Sequence, residues 1–153
     1  MGGHPFFPLF VDLADKRVVV IGAGRVAARR VCELSQFGPS IAVVAPEAHA
    51  DIAALVATGR VTLERRAYRE SDLNGADMAL AATGDAALNA EIGEACRRRG
   101  IPVNISSDRA LCDFLFPGIA KRENIVVGVT ASGEDHRRAR ALTEEIRSLL
   151  DGQ

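Results

Sequence analysis

Apolar residues along this chain fall into short unbroken blocks, separated by longer stretches where they recur every three or four positions. RVVVI, at Arg17–Ile21, reads as a strand buried on both faces. The helical spacing that follows predicts a helix over residues 25–37, stopped by Gly38. IAVVA, residues 41–45, is a second strand, broken by Pro46. An alanine-rich stretch over 47–58, closed by Gly59, predicts the second helix. Val61–Glu64 is a weaker third strand, and MALAA, residues 78–82, a fourth. A third helix is expected over 86–99, ending at Gly100, and IPVNI, residues 101–105, is a fifth strand.

Strand and helix alternate through this part, and the strands are apolar without alternation. That pattern predicts a parallel sheet with helices on both faces. The pattern then changes. Residues 114–119 and 125–130 are apolar runs separated by KREN, which leaves no room for a crossover helix. They read as an antiparallel pair. A last helix is expected over 135–150, with Leu142, Ile146, Leu149 and Leu150 on one face. No internal repeat or low-complexity linker interrupts the chain.

The length, 153 residues, suits one domain with a substantial core. Hydrophobic residues make up 48% and charged residues 25%, and the formal net charge is -1. Such a balance gives no global attraction for nucleic acid or for a membrane surface. Arginine clusters locally at 97–99 and at 137, 138 and 140. Cys32, Cys96 and Cys112 lie far apart without metal-site spacing, which suits a reducing compartment and no bound metal. No apolar run reaches membrane-spanning length, and MGGHPFFPLF lacks a basic leader, so the expected location is the cytoplasm.

The first strand-to-helix turn is GAGRVA, residues 22–27, a G-x-G-x-x-A pattern in the context where it carries meaning. Gly22 permits the tight turn, Gly24 lets a pyrophosphate approach the backbone, and Ala27 allows close helix–strand packing. The helix N-terminus adds unpaired N–H groups for the phosphates. The acid that would hold a ribose at the end of the second strand is missing. Ala45 and Pro46 stand there, with Glu47 just beyond, and no arginine is placed for a 2′-phosphate. NAD is favoured over NADP. Ala82 and Thr83, ending the fourth strand, would line the cofactor on its other side.

FPLFVDLADKRVVVIGAGRVAARR, VVAPE, LAATGDAALN, VNISSDRALCDFLFP and VTASGEDHRRARALTEEIR occur in that order from Phe7 to about Leu150. Together they resemble the precorrin-2 dehydrogenase family, the NAD-dependent module of sirohaem synthases. FPLFVDL and CDFLFP carry the most weight, because a dinucleotide-binding domain has no general need of either. The resemblance implies a Rossmann-like domain over residues 1–112, then a dimerisation segment of two strands and a helix over 113–153. It implies a homodimer that oxidises precorrin-2 to sirohydrochlorin with NAD. Some members also insert ferrous iron. Many members continue into a further helical segment, which this chain is expected to lack.

By position, the resemblance places the cofactor against Gly22, Gly24, Arg25, Val26, Ala27, Pro46, Glu47, Ala82 and Thr83. Family members typically end the fifth strand in Asn-Val-Val-Asp, and that aspartate is the usual candidate for proton transfer or metal handling. Here the register gives Asn104, Ile105, Ser106 and Ser107, with Asp108 next. Asn104, Ser107 and Asp108 are the candidate catalytic residues, with Asp108 equally readable as a turn cap. A serine hydroxyl is no base near neutral pH without help. Losing the carboxylate therefore weakens iron insertion more than dehydrogenation, which depends chiefly on placement. Before the last helix, Asp135 takes the place of a family serine and can cap as well. Arg137, Arg138 and Arg140 could pair with substrate carboxylates.

Two other readings stay open on the residues alone. One is a non-catalytic nucleotide-sensing domain, like the regulatory subunits of potassium channels, although those usually keep an acid after the second strand and lack CDFLFP. The other is a degenerate tetrapyrrole-binding partner that kept the fold and lost the chemistry, which Ser107 makes plausible.

Overall fold

A computed structural model of the chain describes residues 4–152. It divides into two compact units, one formed by residues 12–114 and the other by residues 4–11 with 115–152.

The larger unit is built on five strands: β1 (Arg17–Ile21), β2 (Ser40–Val44), β3 (Val61–Glu64), β4 (Met78–Ala81) and β5 (Val103–Ile105). They pair in the order β3-β2-β1-β4-β5, and every pairing is parallel. Helices α1 (Arg25–Leu34), α2 (Ala50–Val56) and α3 (Ala86–Arg98) make three of the four crossovers, and the connection from β3 to β4 carries only a 3-10 turn at Glu70–Leu73. This is the doubly wound sheet that the alternating pattern predicts. Val18, Val19 and Val20 on β1 are fully buried, as a central strand covered on both faces requires. The winding reverses between β1 and β4, where open α/β sheets leave a crevice at the carboxyl ends of the strands.

Helix bounds differ from the sequence expectation most clearly in α1 and α2. α1 stops at Leu34, and Ser35–Phe37 tighten into a 3-10 turn before Gly38. α2 starts at Ala50 rather than near 47, because His49 sits in extended conformation as its cap and accepts from the Asp51 N–H. Residues 46–49 are thereby free to line the crevice.

The edge strand β5 is closed by the chain that follows it. The Asp113 N–H donates to the Val103 carbonyl, and the Val103 N–H donates to the Asp113 carboxylate, both at 2.9 Å. The Ile105 N–H meets the Cys112 Sγ at 3.1 Å, and the Asn104 Nδ2 donates to the Phe114 carbonyl at 2.8 Å. CDF therefore consumes hydrogen-bonding groups that an open sheet edge would present.

In the smaller unit, β6 (Gly118–Arg122) and β7 (Ile125–Val129) form an antiparallel hairpin, and α4 (His136–Asp151) follows. β6 begins later than the apolar run at 114–119 implies and takes in Lys121 and Arg122. The loop between the strands shrinks to Glu123 and Asn124, and Glu123 supplies a left-handed φ of 52°. Asp135 caps α4 by accepting from the Arg138 N–H at 2.9 Å. The expected apolar stripe of α4 is split. Thr143 is buried, whereas Leu142 and Leu149 are exposed. The seam against β6 instead runs through Thr143 and Arg147, whose guanidinium donates to the Ile119 carbonyl at 2.6 and 3.0 Å.

Candidate functional site

At the carboxyl ends of β1, β2 and β4 lies a cleft of about 680 Å³, largely apolar in lining. Its floor is the turn after β1. Gly22 adopts φ of +101°, which favours glycine, and a Cβ there would overlap the Ala82 carbonyl. Gly24 is the opposite case. Its φ is −78°, and a Cβ would meet nothing within 4 Å. The first glycine is required by the protein itself, and the second leaves a space that the protein does not fill.

Helix α1 begins at that space. Its first internal bond is from the Ala28 N–H to the Gly24 carbonyl at 2.9 Å, so the N–H groups of Arg25, Val26 and Ala27 have no partner within the helix. No side chain caps this end, and its first turn has no acid to compete with an anion. Ala27 is fully buried against the sheet, as the motif needs.

The turn is stitched to its neighbours by backbone. The Gly22 N–H donates to the Val44 carbonyl at 2.9 Å, the His49 N–H to the Ala23 carbonyl at 2.8 Å, and the Ala82 N–H to the Ile21 carbonyl at 2.8 Å. These features fit a dinucleotide: open space over Gly24, unpaired N–H groups beyond it, and small residues on both walls. Gly22, Gly24, Pro46, Glu47, Ala82 and Thr83 all line the cleft. Arg25, Val26 and Ala27 stand at the helix start beside it but are not part of the lining.

Several lining residues escape the sequence analysis. His49 and Tyr68 are the chief ones. Tyr68 is the chain's single tyrosine, an aromatic residue inside the polar stretch RAYRESD, and that isolation is the signal that could have found it. Its hydroxyl is buried without a hydrogen-bond partner among the described residues, and burial pushes the phenol up to about 12. An orphaned buried hydroxyl on a side chain that lines the cleft is a group a ligand or water would satisfy.

Asn104, Ser107 and Asp108 are not part of the cleft lining. Asn104 is buried, and its amide is engaged on both sides. It donates to Phe114 as described and accepts from Arg30 at 2.5 Å. Burial lowers the pKa of the Arg30 guanidinium. Asp108 caps the 3-10 turn Arg109–Leu111, its Oδ1 accepting from the Ala110 N–H at 2.8 Å. Ser107 is exposed and does connect to the cleft, through Asn89. The Asn89 Nδ2 lies 3.2 Å from the Ser107 Oγ and 3.2 Å from the Thr83 carbonyl. Asn89 was missed, though it holds a polar place on the buried stripe 89, 92, 93 and 96 of α3.

Burial raises the pKa of all three thiols, Cys96 to about 11, which keeps them protonated near neutral pH. Among the described residues, no group of three His, Cys, Asp or Glu side chains could hold a metal ion. No helix among them is long and apolar enough to cross a membrane.

Comparison with known proteins agrees with this geometry. A family described as NAD(P)-binding matches residues 9–118. Siroheme synthase of Pseudomonas aeruginosa strain UCBPP-PA14 is 38% identical over 95% of this chain, and siroheme synthase 1 of Cronobacter sakazakii is 36% identical over the same share. The chain spans 31% of the length of each of these relatives. A solved structure titled SirC, precorrin-2 dehydrogenase, superposes with a TM-score of 0.77 at 26% identity, covering 94% of this chain and 71% of that one.

Proposed function

The chain belongs to the NAD(P)-binding family, and we propose that it oxidises precorrin-2 to sirohydrochlorin with NAD in sirohaem biosynthesis. The observation that carries the proposal is the pairing of two glycines. One is forced against Ala82, and the other is open, at the mouth of an uncapped helix. The likeness to a precorrin-2 dehydrogenase and to siroheme synthases supports the substrate.

Gly22, Gly24 and the start of α1 hold the pyrophosphate, and Pro46, Glu47 and His49 border the adenosine end. The Glu47 carboxylate would repel a 2′-phosphate, and no arginine is among the residues that line the cleft, which favours NAD over NADP. Ala82 and Thr83 wall the other side. Bound NAD supplies the hydride acceptor. The protein's own work is placement and exclusion of water by the apolar walls, and the proton lost from the macrocycle passes to solvent. Asp108 holds the turn after β5, Asn104 holds the CDF segment, and Ser107 presents its hydroxyl to substrate.

Exposed apolar side chains in the smaller unit support a homodimer. Phe7 is 87% exposed, Leu9 77% and Phe10 72%, and Ile125 and Leu149 are also uncovered. Arg137, Arg138 and Arg140 supply cations suited to the substrate's carboxylates. The working location is the cytoplasm.

The test is anaerobic turnover of precorrin-2 with NAD. NADH absorbance should grow in step with sirohydrochlorin. A folded chain that binds NAD yet yields no NADH would overturn the assignment and favour a nucleotide sensor.

A further inference from the structure

We propose that Asn89 is a positioning residue that ties the cofactor wall at Thr83 to Ser107 and fixes Ser107 as a hydrogen-bond donor toward the substrate. The inference rests on the function proposed above for the identity of what Ser107 meets. The tie itself does not.

A backbone N–H can only donate. The Thr83 N–H points at the Asn89 side chain at 3.0 Å, so the atom facing it is the amide oxygen. The Thr83 hydroxyl approaches the same oxygen at 2.7 Å. The amide nitrogen must then be the atom that faces the Thr83 carbonyl and the Ser107 Oγ. The amide orientation is settled by the network alone.

Consequences follow for both ends. Asn89 is 0% exposed, and each of its four hydrogen-bonding positions has a partner on Thr83 or Ser107. Three of those bonds fix Thr83, a cleft-lining residue, and the fourth reaches Ser107 after β5. At Ser107 the hydroxyl oxygen accepts from Asn89, so its own proton must go elsewhere. Ser107 is exposed, and that proton is therefore offered outward. The hydroxyl is held as a donor, suited to an acceptor nitrogen or oxygen on a ligand, and its proton does not point at Asn89. A buried amide of this kind resists displacement, because moving it leaves a buried atom unpaired.

Two variants separate this role from a purely structural one. Ser107→Ala removes the whole hydroxyl, both the oxygen that accepts from Asn89 and the proton offered outward. Asn89→Asp keeps the shape and the acceptor for the Thr83 N–H and hydroxyl but replaces the nitrogen that donates to both Ser107 and the Thr83 carbonyl. Side-chain amide exchange by nitrogen-15 NMR reads the tie directly. Both Asn89 amide protons should exchange slowly in the native chain, and one should lose protection in Ser107→Ala. In calorimetric titration, Ser107→Ala should bind NAD with native affinity while kcat for precorrin-2 falls about tenfold and the KM for NAD holds. Asn89→Asp should weaken NAD binding about tenfold, and adding Ser107→Ala to it should cost no further kcat. Unchanged Asn89 amide exchange in Ser107→Ala, native NAD affinity in Asn89→Asp, or additive losses of kcat would each overturn the proposal. If Asn89→Asp does not fold, the exchange measurement on Ser107→Ala decides alone. If the chain binds NAD but does not turn over precorrin-2, the functional assignment fails, and the exchange and NAD-affinity results still judge the tie.

Discussion

The turn after β1 and the turn after β5 solve the same task by opposite means. Both leave the carboxyl end of a parallel strand and both border the proposed chemistry. The first works by having no side chains: Gly22 is pressed against a carbonyl, and Gly24 leaves its space empty. The second works through side chains almost entirely. Asp108 caps, Asp113 and Cys112 occupy the strand edge, Asn104 bridges to Phe114, and Ser107 meets Asn89. A backbone-built site is disturbed by adding atoms, and a side-chain-built site by removing the groups that bridge its segments.

The contrast is broken most severely at Gly22. Gly22→Ala places a Cβ into the Ala82 carbonyl at a left-handed φ, and it should cost about 3 kcal/mol in denaturant unfolding, with NAD binding lost in parallel. Gly24→Ala sharpens the contrast instead. Its Cβ has open space and an ordinary φ, so Tm should hold while NAD affinity drops at least about tenfold by calorimetry. A parallel fall in Tm would mean that the space over Gly24 is not reserved for a ligand. The smallest effect is expected at Asp108. Asp108→Ala removes one cap of a single 3-10 turn, about 0.5 kcal/mol by chemical denaturation, with NAD affinity and turnover unchanged. A large loss of turnover would return that carboxylate to the chemistry.

The same contrast explains what the sequence discloses. The glycine turn is legible because its function depends on residue types with no substitute and on a fixed position between strand and helix. The parallel sheet is legible because strands buried on both faces carry no alternation, as RVVVI does not. The site after β5 resists such reading. Asn104 sits in a strand and is held by partners 10 residues later and 74 residues earlier, and no local pattern announces either. Asn89 lies on a helix whose period marks it as inward, but its partners are set by tertiary packing. Tyr68 follows the weakest strand, where period gives little. On α4, a stripe of four apolar residues promises one buried face, yet two of them remain exposed, because helical period states which residues share a side and not how wide the contact is.

The backbone bonds that join the turns after β1, β2 and β4 bear on how a dinucleotide would be received. Because those segments are already fastened to one another, docking has little chain left to order, and the association should show a small entropic penalty beside its heat. Such a receptor discriminates by shape that exists before the ligand arrives.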